Sequence, residues 1–213
     1  MKATAILPVK RFGAAKQRLA IGLNEERRRA LIAAMVGDVL AAVGEARSVE
    51  RTIVVSSEPA AAELAAAAGA ELLPDPDEGG HVGAARAGIA RAVALGARCA
   101  VLVPGDCPLL DPRELDRLLT GIPDPYVAVV PDRHGTGTNA LALCPPGAIA
   151  PAFGEGSCAR HVAAAREAGI AFGVEELPSL GLDLDTPADI VALTRALADH
   201  PGRAPRTAKE LGI

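Results

Sequence analysis

The sequence predicts an α/β fold: a single domain with a mainly parallel, twisted sheet and helices on both of its faces. Short, fully apolar, β-branched runs alternate with longer Ala- and Leu-rich segments, which is the pattern of successive βα units. The 213 residues fit one large domain, and the chain shows neither an internal repeat nor a linker. Half of the residues are apolar and 23% are charged, which is the balance of a globular protein with one sizeable core.

Each predicted strand is a short apolar run that ends at Gly, Pro or polar residues. The predicted strands cover residues 3–7, 52–55, 71–73, 99–103, 126–130, 140–143 and 170–174.

The predicted helices begin at recognisable start signals. Asn24 is the predicted N-cap of a helix whose apolar residues recur at 3.6-residue spacing over 31–43. Asp111 with Pro112, and Ser157 after a Gly-rich turn, are the predicted starts of two further helices. The other predicted helices cover 58–68, 82–95 and, after the capping signal Thr186-Pro187-Ala188-Asp189, 187–198. We expect one domain over residues 1–200 and a loosely held, basic, Pro-containing tail over 201–213.

The composition argues against several classes of function. A net charge of −4 and few aromatic residues (three Phe, one Tyr, no Trp) weigh against a nucleic-acid binder. No apolar run approaches the roughly 20 residues that cross a bilayer, and too few residues precede Pro8 and Lys10 for a signal peptide. We therefore expect a cytoplasmic protein. The four cysteines have neither CxxC pairing nor zinc spacing, so we expect them to be reduced and mostly buried.

The loop after the first predicted strand is basic. Lys10, Arg11, Lys16 and Arg18 surround Gly13 at the carboxyl edge of the predicted sheet, where ligands of open parallel sheets bind. Four cations there favour an anionic ligand such as a triphosphate, although a merely solvated basic loop stays an alternative. The sequence contains neither GxxxxGK[ST] nor a GxGxxG between a strand and a helix, so the site is not a P-loop or a dinucleotide fingerprint.

Two acidic elements lie at other predicted strand ends. Asp106 ends the most apolar strand, and Asp183 and Asp185 flank Leu184, so an extended backbone would place both carboxylates on one face. Oxygen ligands of this kind suit magnesium. The alternative is that Asp106 caps a turn and Asp185 assists the next helix.

A second group of polar residues lies in the less regular second half. Residues 134–139 offer hydroxyls, an amide and glycines in one loop, and Gly154, Gly156 and Ser157 precede a helix N-terminus, where an anion is favoured. Arg160 and His161 lie in the first turn of that helix, whereas we interpret His81 and His200 as surface histidines. The alternative is an ordinary capped helix.

The segments described so far resemble one known family. They occur in the order 7–10, 15–19, 105–108, 135–139, 153–157 and 182–189. Together they resemble the guanylyltransferases of coenzyme F-420 biosynthesis, which belong to the wider nucleotidyltransferase group that includes the molybdenum-cofactor guanylyltransferases. The resemblance covers about residues 3–197. It implies a nucleotide-diphospho-sugar transferase-like, Rossmann-like fold.

The resemblance also implies a reaction and a site. The reaction is the transfer of GMP from GTP to the phosphate of phosphoenolpyruvate or 2-phospho-L-lactate, with release of pyrophosphate. By position in the motifs, magnesium would be held by Asp106, Asp183 and Asp185. The GTP phosphates would be held by Lys10, Lys16 and Arg18. The acceptor would be held by Thr138, Asn139, Gly154 and Ser157.

Two departures from the family pattern bear on specificity. The chain has Gly80-His81-Val82-Gly83 where relatives carry a Gly-Leu-Asn-like stretch, and Asn139 where we expect a hydroxyl residue. Guanine and the acceptor (phosphoenolpyruvate, 2-phospho-L-lactate or 3-phosphoglycerate) therefore stay open, with composition tipping slightly toward phosphoenolpyruvate. A transferase for a sugar phosphate or pterin, an Asp-x-Asp glycosyltransferase and a non-catalytic nucleotide-binding module are the alternatives. Formation of a homodimer and transfer of the product to the next enzyme also stay open.

Overall fold

The computed structural model describes residues 2–13, 16, 23–75 and 80–213. Its strands are β1 (Ala3–Pro8), β2 (Val49–Val55), β3 (Glu71–Leu73), β4 (Ala100–Leu102), β5 (Tyr126–Pro131), β6 (Thr138–Cys144) and β7 (Phe172–Val174). Its helices are α1 (Glu25–Glu45), α2 (Pro59–Ala67), α3 (Gly80–Ala94), α4 (Pro112–Leu119), α5 (Ser157–Glu167), α6 (Pro187–Asp199) and α7 (Pro205–Leu211). A short 3-10 turn covers Pro178–Leu180.

The strands form one seven-stranded sheet in the order β3-β2-β1-β4-β6-β5-β7. All neighbours pair in parallel except β6, which is antiparallel to both β4 and β5. The mainly parallel sheet predicted from the sequence is thus confirmed. Because β6 runs backwards, its first residues, Thr138 and Asn139, lie at the same edge as the carboxyl ends of β1 and β4. This edge carries the candidate site.

Helices cover both faces of the sheet, as predicted. The larger core includes Met35 of α1 and Leu115 of α4, and the smaller one includes Ala85 of α3 and Ala165 of α5. In α1 the periodic apolar positions of 31–43 are buried, and the Asn24 side chain accepts the N–H of Arg27. None of the helices in the described part of the chain is long and apolar enough to cross a membrane.

The last residues of the chain are not a loosely held tail, so that prediction is wrong. Helix α7 packs against α1, and the buried side chain of Thr207 lies at the contact. The N–H and hydroxyl of Thr207 donate to Asp38 Oδ2 at 2.8 and 2.7 Å. Asp38 is itself buried, and a buried carboxylate needs hydrogen-bond donors, which α7 supplies. This dependence of α1 on α7 is not visible in the basic, Pro-containing sequence.

The prediction that the four cysteines are reduced is wrong for two of them. Cys99 and Cys144 form a disulfide. The antiparallel register that pairs Ala100 with Leu143 brings these two residues opposite each other, with their Cα atoms 4.4 Å apart. The sequence separation of 45 residues does not reveal that register. Cys107 and Cys158 are free and buried, as predicted.

Candidate active site

Two adjoining cavities lie at the carboxyl edge of the sheet and share Pro8, Val9, Lys10 and His81. The larger, of about 340 Å³, extends toward the loop after β4 and the segment before α6. The smaller, of about 130 Å³, extends over the ends of β2 and β3. A cleft at this edge is where open α/β sheets bind their ligands.

An ionic cluster, defined here as Lys16, Asp106, Asp183 and Asp185, lies at the larger cavity. The ammonium of Lys16 contacts Asp106 Oδ2 and Asp185 Oδ1. Burial alone would lower the pKa of Lys16, but the two carboxylates raise it above its usual value. The lysine therefore stays charged, and it joins the loop after β1 to residues about 90 and 169 positions further along the chain.

The backbone of residues 183–185 is tied to the loop that carries Asp106. Leu184 is fully buried, and its N–H donates to the carbonyl of Asp106 at 3.2 Å. Asp183 and Asp185 are both partly exposed, as the alternating pattern predicts. Burial, followed by the charges of Asp106 and Asp185, raises the pKa of Asp183. The carboxylates are therefore close enough to repel one another.

Asp189 positions Asp185 from inside α6. Its Oδ2 accepts the N–H groups of Asp185 and Thr186 at 3.0 and 2.7 Å, as the predicted capping signal requires. Its other oxygen pairs with Arg133 at 2.6 Å. Burial alone would raise the pKa of Asp189, but the hydrogen bonds from Arg133, Asp185 and Thr186 lower it to about 2. Arg133 thereby links this segment to the loop that leads into β6.

A neutral network, defined here as Thr138, Ser157 and His161, lies between β6 and α5. The hydroxyl oxygen of Thr138 lies 3.0 Å from Ser157 Oγ and 3.1 Å from His161 Nδ1. His161 Nε2 accepts the backbone N–H of Ala152 at 2.9 Å. Burial, with a smaller effect of the Arg160 charge, lowers the pKa of His161 to about 4, so its ring is uncharged near neutral pH.

The N-terminus of α5 differs from the prediction in one detail. Gly156, with φ of +68°, is the N-cap, and Ser157 is the first helical residue. The left-handed backbone at this position suits glycine, and it turns the Ser157 side chain inward toward Thr138. Arg160 is not directed at an anion site in this structure, because its guanidinium binds the carbonyls of Ala152 and Glu155.

The structure thus brings the predicted residues together in two groups. In the first group, Lys16 contacts both Asp106 and Asp185, and the charges of these aspartates reach Asp183. In the second group, Thr138 contacts Ser157, and exposed Gly154 lies in the loop before α5, with φ of +113°. Asn139 Nδ2 donates to the carbonyl of Leu180 at 2.5 Å, so its amide supports the 3-10 turn. Lys10 is exposed and lines both cavities, and Arg18 lies outside the described residues.

His81 is a cleft residue that sequence reasoning assigned wrongly to the surface. It is half-buried, lines both cavities, and meets the ring of Phe153 edge-on with 4.6 Å between centroids. Burial lowers its pKa, while the Asp106 charge opposes this effect. Its position at the start of the helix after β3, at the ligand edge of the sheet, is the signal that could have identified it. His200 is exposed, as predicted.

Glu58 is a second residue that the sequence did not single out. Its buried carboxylate accepts the N–H of Phe12 at 2.8 Å and pairs with Arg29 at 3.1 Å. Phe12 belongs to the loop after β1, which also carries Lys10 and Lys16. Glu58 therefore holds the cationic loop to the carboxyl end of β2, and its place in the short turn between that strand and α2 was the available signal.

The ionic cluster offers the kind of donor atoms that magnesium prefers. It has three carboxylates and one ammonium, so negative charge is in excess, and the donor atoms of the carboxylates are all oxygens. Within the described ranges no three His, Cys, Asp or Glu side chains form a ready-made metal cage. Magnesium commonly takes only one or two carboxylates and completes its shell with water and phosphate oxygens. The residues present therefore fit magnesium bound together with a phosphorylated ligand.

The fold and the site define the class of this protein. A cleft at the carboxyl edge of a mainly parallel sheet, lined by lysines and aspartates and by no activated nucleophile among the described residues, is typical of a nucleotidyltransferase. A family model described as "Guanylyl transferase CofC like" matches residues 3–197. The chain belongs to this guanylyltransferase family, which confirms the resemblance seen in the sequence.

Comparison with individual proteins agrees with this assignment. The chain is 49% identical over 210 residues to a protein of Conexibacter woesei named phosphoenolpyruvate guanylyltransferase, covering 97% of this chain and 94% of that one. It is 42% identical over 193 residues to a protein of the same name from Sphaerobacter thermophilus, covering 91% and 93%. A crystal structure from Desulfovibrio desulfuricans G20, described as a nucleotide-diphospho-sugar transferase, superposes with a TM-score of 0.76 over 99% of this chain and 97% of that one. At 16% identity, that likeness shows the fold alone.

Proposed function

We propose that this chain transfers GMP from GTP to the phosphate of phosphoenolpyruvate and releases pyrophosphate, in coenzyme F-420 biosynthesis. The observation that carries the proposal is the meeting of Lys16 with Asp106 and Asp185 beside a cavity of about 340 Å³. Membership of the guanylyltransferase family and the names of relatives at 49% and 42% identity support the choice of GTP and phosphoenolpyruvate.

The proposed reaction needs positioning and charge more than acid–base chemistry. An oxygen of the acceptor phosphate attacks the α-phosphorus of GTP, and a new phosphorus–oxygen bond forms. The bond between the α-phosphorus and the oxygen bridging to the β-phosphorus breaks, and pyrophosphate leaves with that electron pair. The nucleophile is already an anion, so no protein side chain has to be activated. The nearby Cys107 suits no such role, because burial raises the pKa of its thiol and keeps it protonated.

The donor GTP fits the two adjoining cavities. We assign its triphosphate to the larger cavity, beside Lys10 and Lys16. From the sequence alone, we assign Arg18 to the same phosphates. Lys16 lies in the same loop as Phe12, whose N–H donates to Glu58, and it contacts its own carboxylate partners, so its charge is preorganised. We assign the base to the smaller cavity over the ends of β2 and β3, where His81 stands at the junction.

The acceptor is assigned to the start of β6 and the loop before α5, at the same edge of the sheet as the two cavities. There we assign Thr138, Asn139, Gly154 and Ser157 to the acceptor site. Ser157 is buried, so its hydroxyl acts through Thr138. The amide of Asn139 acts through the backbone of Leu180. Thr138 and the exposed backbone around Gly154 are the groups that face outward.

Magnesium fits the proposal as a resident ion. Asp106, Asp183 and Asp185 would hold it, and when bound it would neutralise charge on the phosphates and on the departing pyrophosphate. Asp189 holds the backbone of Asp185 in place, and Arg133 keeps Asp189 ionised. These soluble, highly charged substrates also fit a cytoplasmic location.

The proposal is tested by pyrophosphate release from GTP in the presence of magnesium. The acceptor panel is phosphoenolpyruvate, 2-phospho-L-lactate, 3-phosphoglycerate and a sugar phosphate, and ATP and CTP replace GTP as controls. We expect turnover with GTP and phosphoenolpyruvate that exceeds every other pair by at least tenfold in kcat/KM, or about 1.4 kcal/mol. Turnover with a sugar phosphate, or none with any three-carbon acid despite GTP binding, would contradict it.

A further inference from the structure

His161 is fully buried, and both of its ring nitrogens have partners. The partner of Nε2 is the backbone N–H of Ala152, at 2.9 Å. A backbone N–H can only donate, so Nε2 must carry a lone pair. The pKa of His161 is lowered to about 4, so the ring is neutral at pH 7 and its one proton lies on Nδ1. The tautomer of His161 is therefore determined by the backbone.

This tautomer sets the direction of the hydrogen bonds beyond it. Nδ1–H donates to Thr138 Oγ1, which also lies 3.0 Å from Ser157 Oγ. The two hydroxyls have one hydrogen bond between them, which uses one of their two hydrogens. Ser157 is 1% exposed, whereas Thr138 is partly exposed at the ligand edge of the sheet. The hydrogen between them therefore comes from Ser157, and the remaining one belongs to Thr138, whose partly exposed side chain can offer it to a ligand.

We propose that His161 is a positioning residue that makes the Thr138 hydroxyl an obligatory hydrogen-bond donor to an anionic oxygen of the acceptor substrate. His161 and Ser157 donate to both lone pairs of Thr138 Oγ1. The Thr138 hydroxyl can therefore only donate a hydrogen bond to a ligand. A donor fixed in this way favours a carboxylate or phosphate oxygen and disfavours a group that itself donates. The inference rests on the proposed function for the identity of the acceptor. The donor role of the Thr138 hydroxyl does not depend on that function.

The first test reads the tautomer directly in the whole protein. Long-range ¹H–¹⁵N correlation spectra report which ring nitrogen of each histidine is protonated, and His161→Gln identifies the signals of His161 among the four histidines. We expect a neutral ring with the proton on Nδ1 at pH 7, with or without substrates. A proton on Nε2, or a charged ring, would overturn the inference.

The second test is a double-mutant cycle with phosphoenolpyruvate as the acceptor. Thr138→Val removes the hydroxyl, and we expect it to lower kcat/KM for phosphoenolpyruvate by about 10- to 100-fold. His161→Phe in the wild-type background is expected to lower it by a similar factor and to leave KM for GTP within about twofold. In the Thr138→Val background, His161→Phe should cost no more than about threefold, because the hydroxyl it orients is gone.

A merely structural role for His161 gives a different result. His161→Phe would then cost the same factor in both backgrounds, or would raise KM for GTP as much as that for the acceptor, and either result would overturn the inference. Where His161→Phe does not fold, His161→Gln replaces it, because a Gln oxygen can still accept the Ala152 N–H while losing the ring proton. If the wild-type protein does not turn over phosphoenolpyruvate, the proposed function fails, and the tautomer measurement alone decides this inference.

Discussion

The ionic cluster and the neutral network lie at the same edge of the sheet, but they are built in opposite ways. The ionic cluster is drawn from three loops and is partly open, with 12%, 28% and 48% of the Lys16, Asp106 and Asp185 side chains exposed. The neutral network joins a strand to a helix, and Ser157 and His161 are almost completely buried. One group carries more carboxylates than cations, and the other carries no formal charge.

This difference shows which physical property each group contributes. The ionic cluster is electrostatically incomplete, so it gains by binding cations and phosphates, and its strength depends on charge. The neutral network has its buried atoms paired within the protein, so it contributes a fixed hydrogen-bond direction. We expect charge-removing substitutions to act mainly on turnover in the first group, and neutral substitutions to act mainly on acceptor recognition in the second.

The largest effect is expected in the ionic cluster. Asp106→Asn keeps the size of the side chain and removes one of the two carboxylates that contact Lys16. We expect kcat/KM to fall by roughly 10³-fold, because a preorganised charge at the reacting phosphates is lost. The matched control is Glu63→Gln on α2, an exposed residue away from the cleft, which should leave the rate unchanged. A loss below about tenfold for Asp106→Asn would mean that this cluster is not the catalytic machinery.

The next largest effect is expected at Asp189, which holds the backbone of the ionic cluster, and it is a loss of folding stability. Asp189→Asn breaks the pair with Arg133 and weakens the bonds to the Asp185 and Thr186 backbone. We expect a loss of about 3 kcal/mol in the free energy of unfolding, measured in urea at pH 7, because the buried carboxylate loses its charge-assisted bonds to Arg133 and to two backbone N–H groups. Asp199→Asn, at the exposed end of the same helix, is the control. A loss no larger than that of the control would show that Asp189 does not hold this part of the site in place.

The smallest expected effect is a pH dependence of the free energy of unfolding that arises from His161 in the neutral network. The folded-state pKa of His161 is about 4, below the unfolded value of about 6.5, so the unfolded chain binds the proton more readily. The stability contribution is complete above pH 6.5 and is lost as the pH falls toward 4. Between pH 7.5 and pH 5 we expect the unfolding free energy to drop by roughly 2 kcal/mol more in the wild type than in His161→Gln. Comparing the two removes the contribution of His81, whose pKa is also lowered. Equal drops in both proteins would show that His161 is not neutral in the folded state.

Some of this site follows from the sequence because strand ends of a parallel sheet share one edge. Asp106 and the pair Asp183 and Asp185 could be predicted in this way, as could the capping role of Asp189. The contacts between Lys16 and the aspartates could not, because they join segments 90 and 169 residues apart through loops without periodicity.

Other features escaped prediction because they depend on strand register or on tertiary packing. The Cys99–Cys144 disulfide follows from the register of β4 with β6, and the docking of α7 follows from the needs of buried Asp38. The donor role of the Thr138 hydroxyl depends on the hydrogen bond between His161 and the Ala152 N–H, which forms only when the loop before α5 is folded. Local patterns carry none of this information.

The central claim is that the cleft joins two phosphates, and ³¹P NMR of the reaction mixture tests it most directly. With GTP, phosphoenolpyruvate and magnesium, we expect two new, mutually coupled diphosphate signals to grow in step with pyrophosphate, and the phosphoenolpyruvate signal to decline. Asp106→Asn should show neither change. Appearance of GMP or inorganic phosphate without the coupled pair would show hydrolysis instead of transfer, and it would contradict the account.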